Sequence, residues 1–140
     1  MDAIPDRRLG PAANVRNAAA RFGRDAVVEW CEELLEGSAV DDDPRYPDIA
    51  WLCGTIGWPE HWARVWGARG LLHIGAPTRP EVVLDALEDD SWRVREMALK
   101  VVVRHELDDP HARITALVGD ANERVRHQAL RALGVPPSAR

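Results

Sequence analysis

Apolar side chains recur along most of this 140-residue chain at the spacing of an α-helix. The clearest run lies in residues 91–104, where Val94, Met97, Ala98 and Val101 occupy positions i, i+3, i+4 and i+7. Such a stripe is typical of a helix with one buried face. Comparable stripes predict helices over residues 11–22, 25–36, 48–57 and 59–74, and further helices that start near Thr78, Asp109 and Asp120. No segment has a convincing strand pattern, so we expect an all-α fold of about seven helices.

Two local signals refine these helices. Thr78 and Glu81 have the spacing of a capping box, in which each side chain satisfies a backbone N–H at the helix start. Gly67 and Gly70 lie inside the predicted helix 59–74, where each costs about 1 kcal/mol relative to alanine. Because this cost needs a compensating use, the two glycines predict the close approach of a neighbouring helix.

One segment of the chain is repeated. Residues 92–99, WRVREMAL, return 31 positions later as residues 123–130, ERVRHQAL. A looser copy lies 30 positions earlier, where Trp62 matches Trp92 and Ala68 matches Ala98. A period of about 30 residues with helical spacing indicates a stacked array of helices. Residues 59–134 hold the clear repeats, residues 11–57 form a degenerate N-terminal part, and the length of the chain favours one domain.

The repeated motif combines an acidic residue in the turn, a Val-Arg pair early in the next helix and Ala-Leu one turn later. This pattern resembles HEAT-like repeats, and its short period is similar to that of the PBS-lyase type. The resemblance implies an α-solenoid of helical hairpins with an aspartate–arginine ladder between repeats. The ladder pairs, each six positions apart, are Asp89 with Arg95 and Asp120 with Arg126. In the first copy Val65 stands at the arginine position and Pro59 at the aspartate position.

The resemblance implies a noncatalytic protein–protein interaction module or adaptor, although a fold alone does not fix a function. Two alternatives stay open: a nucleic-acid-binding or DNA-repair-related protein, and a lyase or chaperone-like helper of a modified protein. The sequence contains no GxSxG motif, no glycine-rich phosphate loop and no HExxH motif. We therefore expect no enzymatic activity, no metal site and no cofactor.

Composition narrows the setting of the protein. The net charge of −5 argues against nonspecific binding to nucleic acid, which depends on neutralising phosphates. No stretch approaches about 18 apolar residues, and the N-terminus lacks the apolar core of a signal peptide. We therefore expect a cytoplasmic protein with no membrane association. A single lysine against 17 arginines, with abundant alanine, is typical of a GC-rich bacterial genome.

Tryptophan and arginine supply the candidate binding residues. Six tryptophans are present, and Trp58, Trp62 and Trp66 are spaced so that they share one side of a helix. They either fill the seam between repeats or form an aromatic anchor for a partner, because tryptophan and arginine dominate interface hot spots. Arg93 and Arg124 occupy equivalent outward positions and form either a solvated surface or a positive strip. The predicted partner surface comprises Trp58, Trp62, Arg64, Trp66, Arg69, Arg93 and Arg124.

The expected partner is another, unidentified protein. Because the ends of a repeat array expose apolar surface unless they are capped, we expect either a monomer or a weak homodimer.

Overall fold

The computed structural model describes residues 7–38, 44–52 and 60–135. Within these ranges the chain forms seven α-helices, two short 3-10 helices (Arg7–Leu9 and Ile49–Leu52) and no strand. The α-helices are α1 (Gly10–Phe22), α2 (Arg24–Glu36), α3 (Glu60–Ile74), α4 (Pro80–Ala86), α5 (Trp92–His105), α6 (Arg113–Leu117) and α7 (Glu123–Ala132). The all-α class and the number of helices are confirmed for the described residues. The helix predicted over residues 48–57 is a 3-10 helix in its described part, and its remainder lies outside the described residues.

Alternate helices pack beside one another. Helix α3 contacts α1 and α5, and α5 in turn contacts α7. These four helices, α1, α3, α5 and α7, are called the odd-helix row below. Helix α2 packs against α1, α3 and α4, helix α4 packs against α5, and α6 packs against α7. The odd-helix row therefore presents side chains of equivalent repeat positions next to one another.

A continuous apolar core links the helices. Its fully buried members include Val15, Val27, Leu71, Val83, Leu99 and Val125. Ala98 and Ala129, which occupy the same position in the two clear repeats, have no exposed surface. The helical stripe read from residues 91–104 is therefore the buried face of α5.

Two glycines let α3 lie close against α2. A Cβ atom added at Gly67 would lie 2.6 Å from the carbonyl oxygen of Cys31 and 2.9 Å from Cβ of Leu34. A Cβ atom added at Gly70 would overlap the sulfur of Cys31. The close approach predicted from these glycines is confirmed.

The start of α4 differs from the predicted capping box. The Thr78 hydroxyl donates a hydrogen bond of 2.7 Å to Oε1 of Glu32, and the backbone N–H of Arg79 donates one of 2.5 Å to Oε2. Glu32 is fully buried in α2, so its carboxylate needs these donors to offset its loss of water. The prediction that Thr78 and Glu81 cap the helix was wrong because a distant buried carboxylate uses the hydroxyl instead.

Candidate binding surface

An ion-pair ladder joins successive repeats through the turn aspartates. Nε and Nη2 of Arg64 donate hydrogen bonds of 2.7 and 3.1 Å to the two carboxylate oxygens of Asp89. One repeat further, Nη2 of Arg95 donates to Oδ2 of Asp120 at 3.1 Å, and its Nε lies 2.8 Å from Oδ1. Each arginine thus pairs with the carboxylate 25 residues after it, in the turn that opens the next odd-numbered helix.

The aspartate and arginine that lie six residues apart are joined by a hydrogen bond from the arginine side chain to the main-chain carbonyl oxygen of the aspartate. Nη1 of Arg95 donates to the carbonyl oxygen of Asp89 at 2.7 Å, and Nη1 of Arg126 donates to that of Asp120 at 2.8 Å. The predicted pairs are therefore in contact, but through the aspartate carbonyl groups. The carboxylates are already engaged by the preceding repeat's arginine, which explains why the direct side-chain pairs predicted from the sequence do not form.

Arg64 belongs to this ladder. Its side chain is 19% exposed, whereas it was predicted to belong to the partner surface. Val65, which was predicted to replace the ladder arginine, is buried in the core. The difference arises from how the first copy of the repeat is aligned with the second. A count of 31 residues back from Arg95 reaches Arg64, whereas matching Trp62 to Trp92 shifts the first copy by one position.

The ladder fixes the ionisation of Asp120. Burial opposes ionisation of this carboxyl group, but hydrogen bonds from Arg95 and from the Asn122 backbone, and the charges of Arg95 and Arg126, outweigh it. Together they hold the pKa of Asp120 below its ordinary value. Asp120 is therefore charged at neutral pH and structurally engaged on both oxygens.

Tryptophan rings and guanidinium groups alternate across α3, α5 and α7. The guanidinium carbon of Arg93 lies 4.4 Å from the ring centroid of Trp92 and 5.2 Å from that of Trp62. Arg124 lies 5.2 Å from the Trp92 centroid, and the Trp62 and Trp66 centroids are 6.1 Å apart. These five residues form the Trp–Arg stack. Cation–π attraction of this kind contributes roughly 0.5–1 kcal/mol per exposed contact.

Burial separates the roles of the tryptophans. Trp66 is only 5% exposed and fills the core. Trp62 and Trp92 are half-buried, so they pack against the core while part of each ring borders the surface. Trp58 lies outside the described residues. Of the two interpretations of the tryptophan cluster, the seam applies to Trp66, whereas Trp62 belongs to both the seam and the surface.

A surface depression of about 200 Å³ lies beside the Trp–Arg stack. It brings together four of the predicted surface residues with other residues that were not predicted to belong to the surface. Its polar and aromatic lining comprises Trp62, Arg69, Trp92, Arg93, Lys100 and Arg124, and the carboxylate among its lining residues is Glu96. We call it the cationic depression.

Glu96 and Arg124 form the ion pair of this depression. Nε of Arg124 donates a hydrogen bond of 2.8 Å to Oε2 of Glu96. The Glu96 side chain is 8% exposed, whereas that of Arg124 is 64% exposed. The buried carboxylate therefore anchors the guanidinium group at the rim and leaves most of it accessible.

The other three cations of the depression have no counter-ion among the described residues. Arg93 lies over the rings of Trp62 and Trp92. Among the described residues, neither it nor Arg69 nor Lys100 forms a hydrogen bond or an ion pair. Outside the odd-helix row, Arg79 pairs with Glu36 and Arg113 pairs with Asp85. Three cations without a counter-ion among the described residues therefore lie together in the cationic depression.

The positive face extends along the odd-helix row. Burial first, and then the charges of Arg69, Arg16 and Arg104, lower the pKa of His73 below its ordinary value. These three arginines belong to α3, α1 and α5, respectively. Three helices of the row thus contribute positive charge near His73.

The acidic residues gather on a different surface. A depression of about 570 Å³ is lined by Asp25, Glu29, Glu32, Glu33 and Glu36 of α2, together with Thr78 and Arg79. The net charge of −5 is therefore unevenly distributed over the molecule. The odd-helix face is positive although the protein as a whole is negative.

Lys100, Trp92 and Glu96 were not predicted as members of the surface. A signal for Lys100 was present, because Arg69, Lys100 and Arg131 are separated by 31 residues each. The repeat period therefore places a cation at the same position of α3, α5 and α7.

Comparison with models of known protein families, with curated proteins and with solved structures found no match. Across the described residues, no three His, Cys, Asp or Glu side chains are arranged to hold a metal ion. None of the helices in those ranges has the length and apolar character needed to cross a bilayer.

Proposed function

We propose that this chain is a noncatalytic protein-interaction module or adaptor built from HEAT-like helical repeats. Its partner surface is the cationic depression with the adjoining Trp–Arg stack. The observation that carries the proposal is the concentration of unpaired cations beside half-buried tryptophans on one face of the odd-helix row. Arginine and tryptophan are the residues most enriched in interface hot spots.

The ladder supports the repeat assignment within this proposal. In two consecutive rungs Nε and Nη2 of an arginine face the carboxylate of the aspartate 25 residues later, and the helices they join pack side by side. Because equivalent ion pairs connect α3 to the turn before α5 and α5 to the turn before α7, the surface residues of these helices are held in fixed positions relative to one another. Such preorganisation lowers the entropic cost of binding a partner. The proposal also includes a cytoplasmic setting and a monomer or weak homodimer.

A second candidate is a nucleic-acid-binding protein. The positive odd-helix face supports it, because cationic grooves with aromatic side chains bind single strands. It ranks second because the net charge of −5 opposes a long polyanion and because guanidinium groups lie over the Trp62 and Trp92 rings. The third alternative, a lyase or chaperone-like helper, remains a prediction from the resemblance alone.

Affinity capture tests the proposal. The wild-type protein and the double variant Arg93→Ala/Arg124→Ala are immobilised, exposed to extract of the source cells and compared by quantitative mass spectrometry. The control variant, Arg79→Ala/Arg113→Ala, removes the same charge outside the odd-helix row. We expect partners that the wild type and the control retain and the Arg93/Arg124 variant loses. Equal recovery by all three proteins, with intact helical melts, would show that this surface is not the partner site.

A further inference from the structure

The cations on α3, α5 and α7, here called the positive face, are arranged as expected of a site for the carboxylates of an extended peptide. We propose that it binds an acidic peptide segment, whose aspartate and glutamate side chains lie across α3, α5 and α7. This inference rests on the proposed function and specifies the partner. Its recognition elements are the unpaired Arg69, Arg93 and Lys100, the rim residue Arg124, and Arg131, which continues the column on α7.

Arg93 is held ready for an anion. Its guanidinium group lies near the rings of Trp92 and Trp62, and its N–H groups have no acceptor among the described residues. A guanidinium group on an aromatic face keeps its in-plane donors available for a carboxylate. Because the rings already restrict the side chain, binding an anion there costs less conformational entropy than it would at a free arginine.

The column of cations matches the dimensions of an extended peptide. Arg69, Lys100 and Arg131 occupy equivalent positions of three successive helices in the odd-helix row. Packed helices have axes about 8–10 Å apart, so the column spans roughly 16–20 Å. An extended chain rises about 3.3 Å per residue, and about six residues cover that distance. A short acidic segment is therefore long enough to meet all three helices.

Charge and ring geometry favour such a peptide over a nucleic acid strand. Base stacking needs accessible aromatic faces, but guanidinium groups lie over Trp62 and Trp92. Charges further away than about 8 Å are largely screened at physiological salt. A short acidic segment on the odd-helix face is thus attracted by the nearby cations, whereas a long polyanion also meets the acidic remainder of the molecule.

Fluorescence anisotropy with labelled octaglutamate tests the inference at physiological salt. The test variant of the full chain is Arg69→Gln/Lys100→Gln, and the control is Arg79→Gln/Arg113→Gln, which changes the net charge equally. Arg69 and Lys100 have no partner among the described residues, so the test variant should keep the wild-type melting temperature. We expect saturable binding that weakens about five- to tenfold in the test variant, because two exposed ion pairs with the peptide are lost. The control should stay within about twofold of the wild type.

Three results would overturn the inference: equal weakening in both variants, no binding of octaglutamate below about 1 mM, and tighter binding of an octathymidylate strand than of the peptide.

The capture experiment separates this inference from the proposed function. A partner lost by the Arg93/Arg124 variant but not displaced by octaglutamate would overturn the acidic segment and leave the interaction module standing. Specific octaglutamate binding, with no protein captured through this surface, would support the anion site and overturn the adaptor function.

Discussion

The contact between α2 and α3 makes a quantitative prediction about two small side chains. Alanine at Gly70 would place its methyl group on the sulfur of Cys31. Without that sulfur, the closest remaining contacts of the methyl group are Cδ2 of Leu52 at 3.4 Å and Cβ of Cys31 at 3.7 Å, both ordinary packing distances. The double variant Gly70→Ala/Cys31→Ala therefore fits a space that the single variant Gly70→Ala does not.

The expected energies follow from this geometry. Gly70→Ala gains about 1 kcal/mol of helix propensity but loses about 1–3 kcal/mol to overpacking. Cys31→Ala removes a fully buried sulfur and costs about 1–2 kcal/mol in lost burial and cavity formation. In the double variant the new methyl group takes the vacated volume, so both penalties are relieved while the gain in helix propensity remains. The double variant should therefore be about 1 kcal/mol more stable than the wild type. The coupling free energy is the sum of the two relieved penalties, about 2–5 kcal/mol in favour of the double variant.

Urea denaturation of the four proteins, followed by far-UV circular dichroism, measures this coupling. Gly67→Ala is the matched control, because its methyl group would meet the carbonyl oxygen of Cys31 and Cβ of Leu34, neither of which Cys31→Ala removes. We expect Gly67→Ala to be destabilising and Cys31→Ala to leave that loss unchanged. Additive free energies for the Gly70 and Cys31 pair would refute the packing of α3 on α2 described above.

Three further predictions concern the ladder, the positive face and the core. Asp120→Asn should lower the free energy of unfolding by about 3 kcal/mol at pH 7, because it leaves Arg95 partly buried without its counter-charge. Since the folded-state pKa of Asp120 is lowered, its contribution is present above the ordinary Asp pKa and is lost as pH falls, so urea titrations of variant and wild type should converge in acid. The lowered pKa of His73 means that the unfolded chain binds the proton more readily, so stability falls as pH drops through about 6.5. His73→Gln should reduce the loss of melting temperature between about pH 7.5 and 5.5, and an unchanged loss would contradict the burial of His73 beside Arg69 and the other two arginines. Ala98→Asp buries an unpaired carboxylate and should abolish the helical melt; an intact melt would contradict the register of α5.

The helices were predictable because their signals are local. The stripe Val94, Met97, Ala98 and Val101 depends only on the chain's own periodicity, and it correctly identified the buried face of α5. The use of Gly67 and Gly70 was also predictable, because glycine inside a helix needs a compensating contact. Residue type and spacing were sufficient to predict the buried face of a helix and the positions where a neighbouring helix comes close.

The partners of polar side chains were not predictable in the same way. Spacing alone identified Asp89 and Arg95 as neighbours but could not distinguish the aspartate carbonyl from its carboxylate as the acceptor. Thr78 was assigned to its own helix, whereas it donates to Glu32, 46 residues away in the chain. A buried carboxylate of this kind has no local sequence signature, because its donors are determined by the packing of α2 against α4.

The ladder makes the chain extendable in units of 31 residues. The Arg95 rung joins one arginine in a helix, the carboxylate of the aspartate in the following turn and the carbonyl oxygen of the aspartate in the preceding turn. A second copy of residues 90–120, placed directly after Asp120, would bring its own arginine and aspartate and leave the existing rungs intact. It would also carry another lysine at the position of Lys100 and so lengthen the positive face by one helix. One inserted repeat thus lengthens both the helical array and its positively charged face. Duplication of the corresponding gene segment would therefore produce a longer binding site directly.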